Sequence, residues 1–193
     1  LYSYRVYLKF MSIAINYKKN QFKKKVSNLV LFVDEKFNIS TLKKHVLSSE
    51  HVFISDLIKS KDMKKKILTF DISSKKKIIL VSLKKNLTNS ESENLGGKFY
   101  DLFKKNKLNE FEINSNSLIK ENKNCLSYFL HGLKLKSYSF EKYKSKKNKI
   151  FFSLTITGKN LPSSKDRVKF KALEDGTFYA RDLVSEPGNI LHP

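Results

Sequence analysis

The chain has 193 residues, with 39 Lys and Arg against 18 Asp and Glu, for a formal net charge of +21. Hydrophobic residues make up 40% and the aromatics are Phe and Tyr without Trp, enough to build the core of one ordinary domain, which argues against global disorder despite the charge. No apolar run approaches the ~18 residues of a membrane span, and the lone Cys125 rules out an intrachain disulfide or a cysteine metal framework.

The first ten residues are weakly apolar, carry Arg5 and Lys9, and show no apolar core followed by a small-residue cleavage site. Patterned sequence begins at Met11, so residues 1–10 read as a non-native or upstream extension. Met11, Ile13, Ile15 and Tyr17 alternate with small or polar residues, as in a half-buried strand. Lys18 to Lys25 is a polar connection. Leu29 to Val33 is continuously apolar, the pattern of an interior strand covered on both faces. After a loop from Asp34 to Ile39, Ser40 is placed to cap a helix over Thr41–Leu47, with a second helical piece near Val52–Ile58.

Ile67–Ile72 and Lys77–Leu83 read as strands joined by the short turn Ser73-Ser74-Lys75, hence antiparallel. Thr88 and Glu91 have the spacing of a capping box, opening a helix with Leu95, Phe99, Leu102 and Phe103 on one face. Gly96-Gly97 strips side chains from one patch of it, which predicts close packing on the sheet. A short strand is expected at Phe111–Ile113, and a turn at Ser115-Asn116-Ser117 into a helix whose core face carries Cys125, Leu126, Phe129, Leu130 and Leu133. Lys142 to Lys149 is a basic loop, and Ile150–Thr157 is the last strand. Gly158 to Pro162 turns into a terminal helix capped by Ser163 or Ser164, with Asp166 near its positive end. Val168, Ala172, Gly176, Ala180 and Val184 recur at intervals of four on it, with Leu173 and Leu183 beside them, until Pro187 forces a stop near Val184 or Ser185. Strands alternating with helices, with one hairpin, define an α/β fold with a mixed sheet covered on both faces.

Two stretches carry a resemblance. Ala180-Arg181-Asp182-Leu183-Val184-Ser185-Glu186-Pro187-Gly188-Asn189, continuing to Leu191 and Pro193, resembles the A-R-D-L-V-N-x-P-x-N-x-L-x-P segment joining the two domains of the leucyl (cytosol) aminopeptidase family, with Ser185 in place of Asn. Upstream, Gly132, Leu135, Tyr138, Phe140, Tyr143 and Lys144 fit that family's G-x-x-L-x-x-Y-x-F-x-x-Y-K. The resemblance runs from about Met11 to the end. It implies a three-layer α/β/α non-catalytic N-terminal domain over residues 11–160. Residues 161–193 would then be a linker helix and the start of a catalytic domain that is absent here.

Chemistry is sparse in the chain. His45, His51, His131 and His192 show no metal-ligand spacing and read as surface or helix-end histidines. Cys125 falls on an apolar helix face without a base beside it, so it packs. Gly96-Gly97 is not a phosphate loop, and Ser153 and Ser185 lack nucleophile-elbow glycines. Asp182 and Glu186, four apart, could chelate a cation, but exposure or pairing with Arg181 and lysines explains them better. No catalytic, cofactor-binding or metal residue is assigned. The resemblance implies that the family's two divalent metals, Zn or Mn, are held by a catalytic half whose motifs N-T-D-A-E-G-R and V-G-K-G-x-x-[FY]-D-[ST]-G-G do not occur here, so no cofactor is expected in this chain.

The expected function is therefore the N-terminal portion of a two-metal leucyl aminopeptidase. The full-length enzyme would act on peptides in the cytoplasm as a homo-hexamer, away from membranes, and the fragment would be inert. The alternative is a stand-alone basic module for nucleic acid or another polyanion. Against it, Arg5, Arg167 and Arg181 are the only arginines, and phosphate forks and base edges favour Arg over Lys. Weak, salt-sensitive adhesion is what scattered lysines give. A third reading is a structural domain whose apolar helix face pairs with another chain.

Overall fold

The computed structural model describes residues 13–19, 28–62, 64–106, 109–118, 122, 124–145 and 152–190. The leading segment 1–10, Met11, the runs Lys23–Lys25 and Lys146–Lys147, Ile150, and Leu191, His192 and Pro193 lie outside the described residues. Six strands, β1 (Ile13–Lys18), β2 (Asn28–Asp34), β3 (Ile67–Ser73), β4 (Lys76–Leu83), β5 (Glu110–Asn114) and β6 (Phe152–Thr157), form one sheet in the order β1-β6-β5-β2-β4-β3. All neighbouring pairs run parallel except β3 and β4, the expected hairpin. The helices are α1 (Ser48–Ile58), α2 (Asn89–Asn106), α3 (Cys125–Ser137) and α4 (Ser164–Ser185).

The interior strands are apolar throughout because both faces are covered. On one face Val30, Phe32, Ile79 and Val81 meet Phe99 and Phe103 of α2 and Leu126, Phe129 and Leu133 of α3. On the other, Leu29, Leu31, Ile78 and Leu80 meet Leu42 and Val46 of the segment before α1 and Ile54 of α1 itself. Alternate side chains of one strand thus enter two separate cores, which produces the three layers. Phe103, Phe111 and Phe152 pack ring against ring, with centroids 3.9 and 5.2 Å apart, and close the first core beneath α2.

Several local expectations are corrected. Ser40 caps nothing: residues 40–44 form only a 3-10 turn, opened by the Ser40 amide donating to the Asn38 side chain at 3.0 Å. The helix that follows starts earlier than Val52, at Ser48, where the Glu50 carboxylate accepts the Leu47 N–H at 3.2 Å. Ser115–Ser117 is a turn, of 3-10 form, as expected, but the next helix begins only at Cys125. The glycine pair does pack closely, but against α3 and not the sheet. A Cβ on Gly96 would sit 1.9 Å from the Phe129 carbonyl oxygen, and one on Gly132 would sit 2.0 Å from that of Glu93. The two helices therefore cross backbone to backbone, each through its own glycine.

The caps follow the sequence closely. The Thr88 N–H donates to Glu91 Oε2 at 2.9 Å and the Glu91 N–H to Thr88 Oγ1 at 3.3 Å, a reciprocal box. Ser163 Oγ accepts the Asp166 N–H at 3.0 Å to open α4.

Candidate functional site

The chemistry-bearing side chains converge on the seam where α4 lies along α3. Of the 22 residues of α4, only Phe170 and Glu174 are fully buried. They sit one turn apart, with Phe178 a turn further on, so the docking stripe is aromatic and acidic. The Phe170 ring packs on Tyr128 at 5.0 Å and on the His131 ring at 4.7 Å, and Phe178 stacks on Tyr138 at 5.5 Å.

Glu174 is 3% exposed, and both of its oxygens are engaged. Oε1 faces His131 Nδ1 at 3.1 Å, and Oε2 accepts from Lys134 Nζ at 2.9 Å. A buried carboxylate requires such partners, since leaving it bare would cost several kcal/mol. His131 and Lys134 are three apart on α3 and share the face that Glu174 enters.

Further along, the two stretches that resemble aminopeptidases interlock. The Tyr138 hydroxyl donates to Asp182 Oδ1 at 2.8 Å, and Arg181 Nη1 donates to the Leu135 carbonyl at 2.8 Å while its guanidinium lies over the Tyr138 ring. Lys142 and Tyr143 both donate to Glu186. These bonds shift the groups involved. Lys142 and Tyr143 hold Glu186 below the usual carboxylate range. The bond to Glu186 raises the Tyr143 hydroxyl, and burial followed by the bond to Asp182 raises that of Tyr138.

At the other end of the seam, α3, α4 and the edge strand β1 enclose a cleft of about 210 Å³. Ile15, Leu130, Pro162 and Phe170 give it an apolar lining, and Tyr17, Asp166, Arg167 and Lys171 bring polar groups to it. The Arg167 guanidinium lies 4.7 Å over the Tyr17 ring. Burial pushes the Tyr17 hydroxyl up, Arg167 opposes that shift, and Glu174 adds to it.

The histidine reading needs correction. His131 is buried against Glu174, and His45 is buried with its Nδ1 3.0 Å from Asn114 Nδ2. His51 places Nε2 3.1 Å from the Ile39 carbonyl. The missed signal was the Phe170, Glu174, Phe178 spacing, a docking stripe opposite the aliphatic one. Cys125 is buried in the first core as expected, and burial raises its thiol. Asp182 and Glu186 face different partners and do not converge.

Among the described residues no group of three or more His, Cys, Asp and Glu is placed to hold a metal ion. The donors do not suit a divalent metal either: Glu174 already carries the Lys134 ammonium, and Glu186 that of Lys142.

In class, this is a three-layer α/β/α domain with one helix docked on its outer layer by polar and aromatic contacts. Its fold is that of part of a mutant tomato leucine aminopeptidase, with a TM-score of 0.70 at 19% identity over 94% of this chain and 40% of that one. The bottromycin maturation enzyme BotP, in a complex with Mn, aligns with a TM-score of 0.59 at 11% identity, covering 86% of this chain and 33% of its own. No family model matches. In sequence the chain is 39% identical over 77 residues to a probable cytosol aminopeptidase of Clostridium perfringens, and 32% identical over 73 residues to one of Sinorhizobium fredii. Those alignments take in 36% and 34% of this chain but only 16% and 15% of the two relatives. The chain is thus similar over about a third of its length to probable cytosol aminopeptidases, and the matched stretch is a minor part of theirs. No helix among the described residues is long and apolar enough to cross a membrane.

Proposed function

We propose that this chain is the non-catalytic N-terminal portion of a two-metal leucyl aminopeptidase, an enzyme that releases N-terminal amino acids from peptides. In this reading residues 11–160 form the domain, residues 161–193 form the linker, and the chain alone is inert. The carrying observation is the interlock of the two family-like stretches, Tyr138 with Asp182 and Leu135 with Arg181. Tyr138 and Asp182, motif side chains that bond one another across 44 positions, have a structural reason to occur together, and that reason is to fix where the linker helix leaves the domain. Peptides, a pair of Zn or Mn ions, a hexamer and a cytoplasmic setting come with this reading through the part of the enzyme that does the chemistry.

The outer face of α4 supports it. Val168 is 71% exposed and Val184 87%, while Leu173 and Tyr179 are about half exposed. Nothing lies within 4 Å of where a Gly176 side chain would begin. An apolar stripe left bare by its own domain is suited to a further domain.

The test compares this chain with the same reading frame extended downstream, each assayed on leucine p-nitroanilide with added Mn or Zn. Activity is expected from the extended protein alone. A downstream frame without two-metal motifs, or hydrolysis by the short chain, overturns the reading. The polyanion-binding alternative has only net charge behind it, and Arg181 is engaged with Tyr138 and the Leu135 carbonyl.

A further inference from the structure

The cleft between β1, α3 and α4 shares Phe170, His131, Lys134 and Glu174 with the helix seam, but no role assigned so far uses its mouth, and its lining is amphoteric. Its volume of about 210 Å³ falls below the ~300–1,000 Å³ of drug-sized sites and suits a small metabolite. Among the described residues Arg167 has no ion pair; the Tyr17 ring beneath it is its only contact of note. Next to it in sequence, Asp166 has one carboxylate oxygen engaged, with Ser127 Oγ donating to Oδ2 at 3.4 Å. Glu174 and Lys134 neutralise one another deeper in the seam. Lys171 is paired with Asp175, so what remains open beside the Tyr17 hydroxyl is one guanidinium fork, one carboxylate oxygen and an apolar floor.

A guanidinium prefers a planar carboxylate, which it binds through two parallel bonds. A carboxylate with a spare oxygen accepts from an ammonium. Both side chains line the same cleft, so a ligand that satisfies them carries its own opposite charges. The floor of Ile15, Leu130 and Phe170 favours an apolar body. We propose that this cleft binds a free α-amino acid with an aliphatic side chain, its carboxylate on Arg167 and its ammonium on Asp166. The inference stands whether or not the aminopeptidase reading does. One consequence rests on that reading: free amino acids are what such an enzyme releases, so the cleft would respond to product.

The experiment is titration calorimetry of this chain with L-leucine, L-leucinamide, which lacks the carboxylate, and 4-methylpentanoate, which lacks the ammonium. Leucine is expected to bind in the millimolar range, as suits so small a ligand, and each analogue at least tenfold more weakly. Arg167→Gln is expected to weaken leucine about tenfold and leave leucinamide unchanged; Asp166→Asn should do the reverse with 4-methylpentanoate. Val168→Gln, on the opposite face, is the control and should change nothing. Arg167 is exposed, and a circular dichroism melt checks that each variant is folded. Amide shifts in an NMR titration should move at Ile15, Ser127 and Phe170 and not on α1. No heat with leucine at about 50 mM, equal binding of all three compounds, or leucine binding unaffected by Arg167→Gln would overturn the proposal. Because leucine binding is read on the short chain, its failure says nothing about peptidase activity in the extended protein, and the reverse holds too.

Discussion

Helix α3 has two neighbours, and it treats them in opposite ways. Against α2 the contact is dry and close, with Gly96 under the Phe129 carbonyl and Gly132 under that of Glu93. Against α4 the contact is built from ion pairs, hydroxyls and stacked rings. The first joint is part of the core and cannot open without unfolding the domain. The second is made of pairs that could be satisfied by water instead, so α4 is attached to the domain without being essential to its core. Such a joint suits a helix that belongs to the boundary between one domain and the next.

The strongest way to break this contrast is to add side chains at the glycine crossing. Gly96→Ala pushes a methyl into a backbone carbonyl and should cost about 3 kcal/mol or prevent folding, read from denaturant melts. The same change at Gly176, open on the outer face of α4, should be neutral or slightly stabilising, because Ala is the better helix former. Next, Glu174→Ala leaves Lys134 and His131 without their shared partner. We expect a loss of about 2 kcal/mol, below the range for a fully buried pair because Lys134 is partly exposed. Hydrogen exchange should show protection lost from α4 before α2. If both helices lose protection together, the two joints are not distinct.

A smaller effect tests a cap that belongs to neither joint. Lys84 and the Thr88 backbone and hydroxyl lower Glu91 from 4.5 to about 2. A depressed carboxylate stabilises the fold above its unfolded value and ceases to do so as pH falls through the folded one. The contribution of Glu91 should therefore fade between pH 4.5 and about 2. Glu91→Gln should flatten that part of the stability–pH curve. The smallest effect belongs to the outer face of α4. Val184→Asp should change the stability of this chain by no more than about 0.5 kcal/mol, and in the extended protein it should be clearly destabilising if that face is covered there.

Much of the fold was legible beforehand because its signals are local. Leu29–Val33 and Ile78–Val81 are apolar on both faces, so they read as interior strands without knowledge of their partners. The Thr88–Glu91 box and the Ser163 cap involve groups three residues apart. The Ser73–Lys75 turn was short enough to force an antiparallel pair. The early start of α1 was not legible, because a Leu at the cap position gives no side-chain signal and the cap is made by Glu50 reaching back.

The site was much less legible. On α4 the aliphatic stripe is the conspicuous one by composition, yet it faces outward. The face that docks holds Phe170, Glu174, Phe178 and Asp182, and a mixture of this kind looks like a solvated face until its partners are known. His131 looked like a surface histidine for the same reason.

By itself the sequence determined most of the strands and helices, and that two stretches resemble the aminopeptidases, since these depend on neighbours within a turn or on letters in a row. Only the tertiary structure decided which side of α4 is buried, that Glu174 lies between His131 and Lys134, and that the two shared stretches grip each other. A buried charge is tolerable only when its hydrogen-bonding partners arrive from elsewhere in the chain, here from 43 and 40 residues away, and no local pattern announces that arrival.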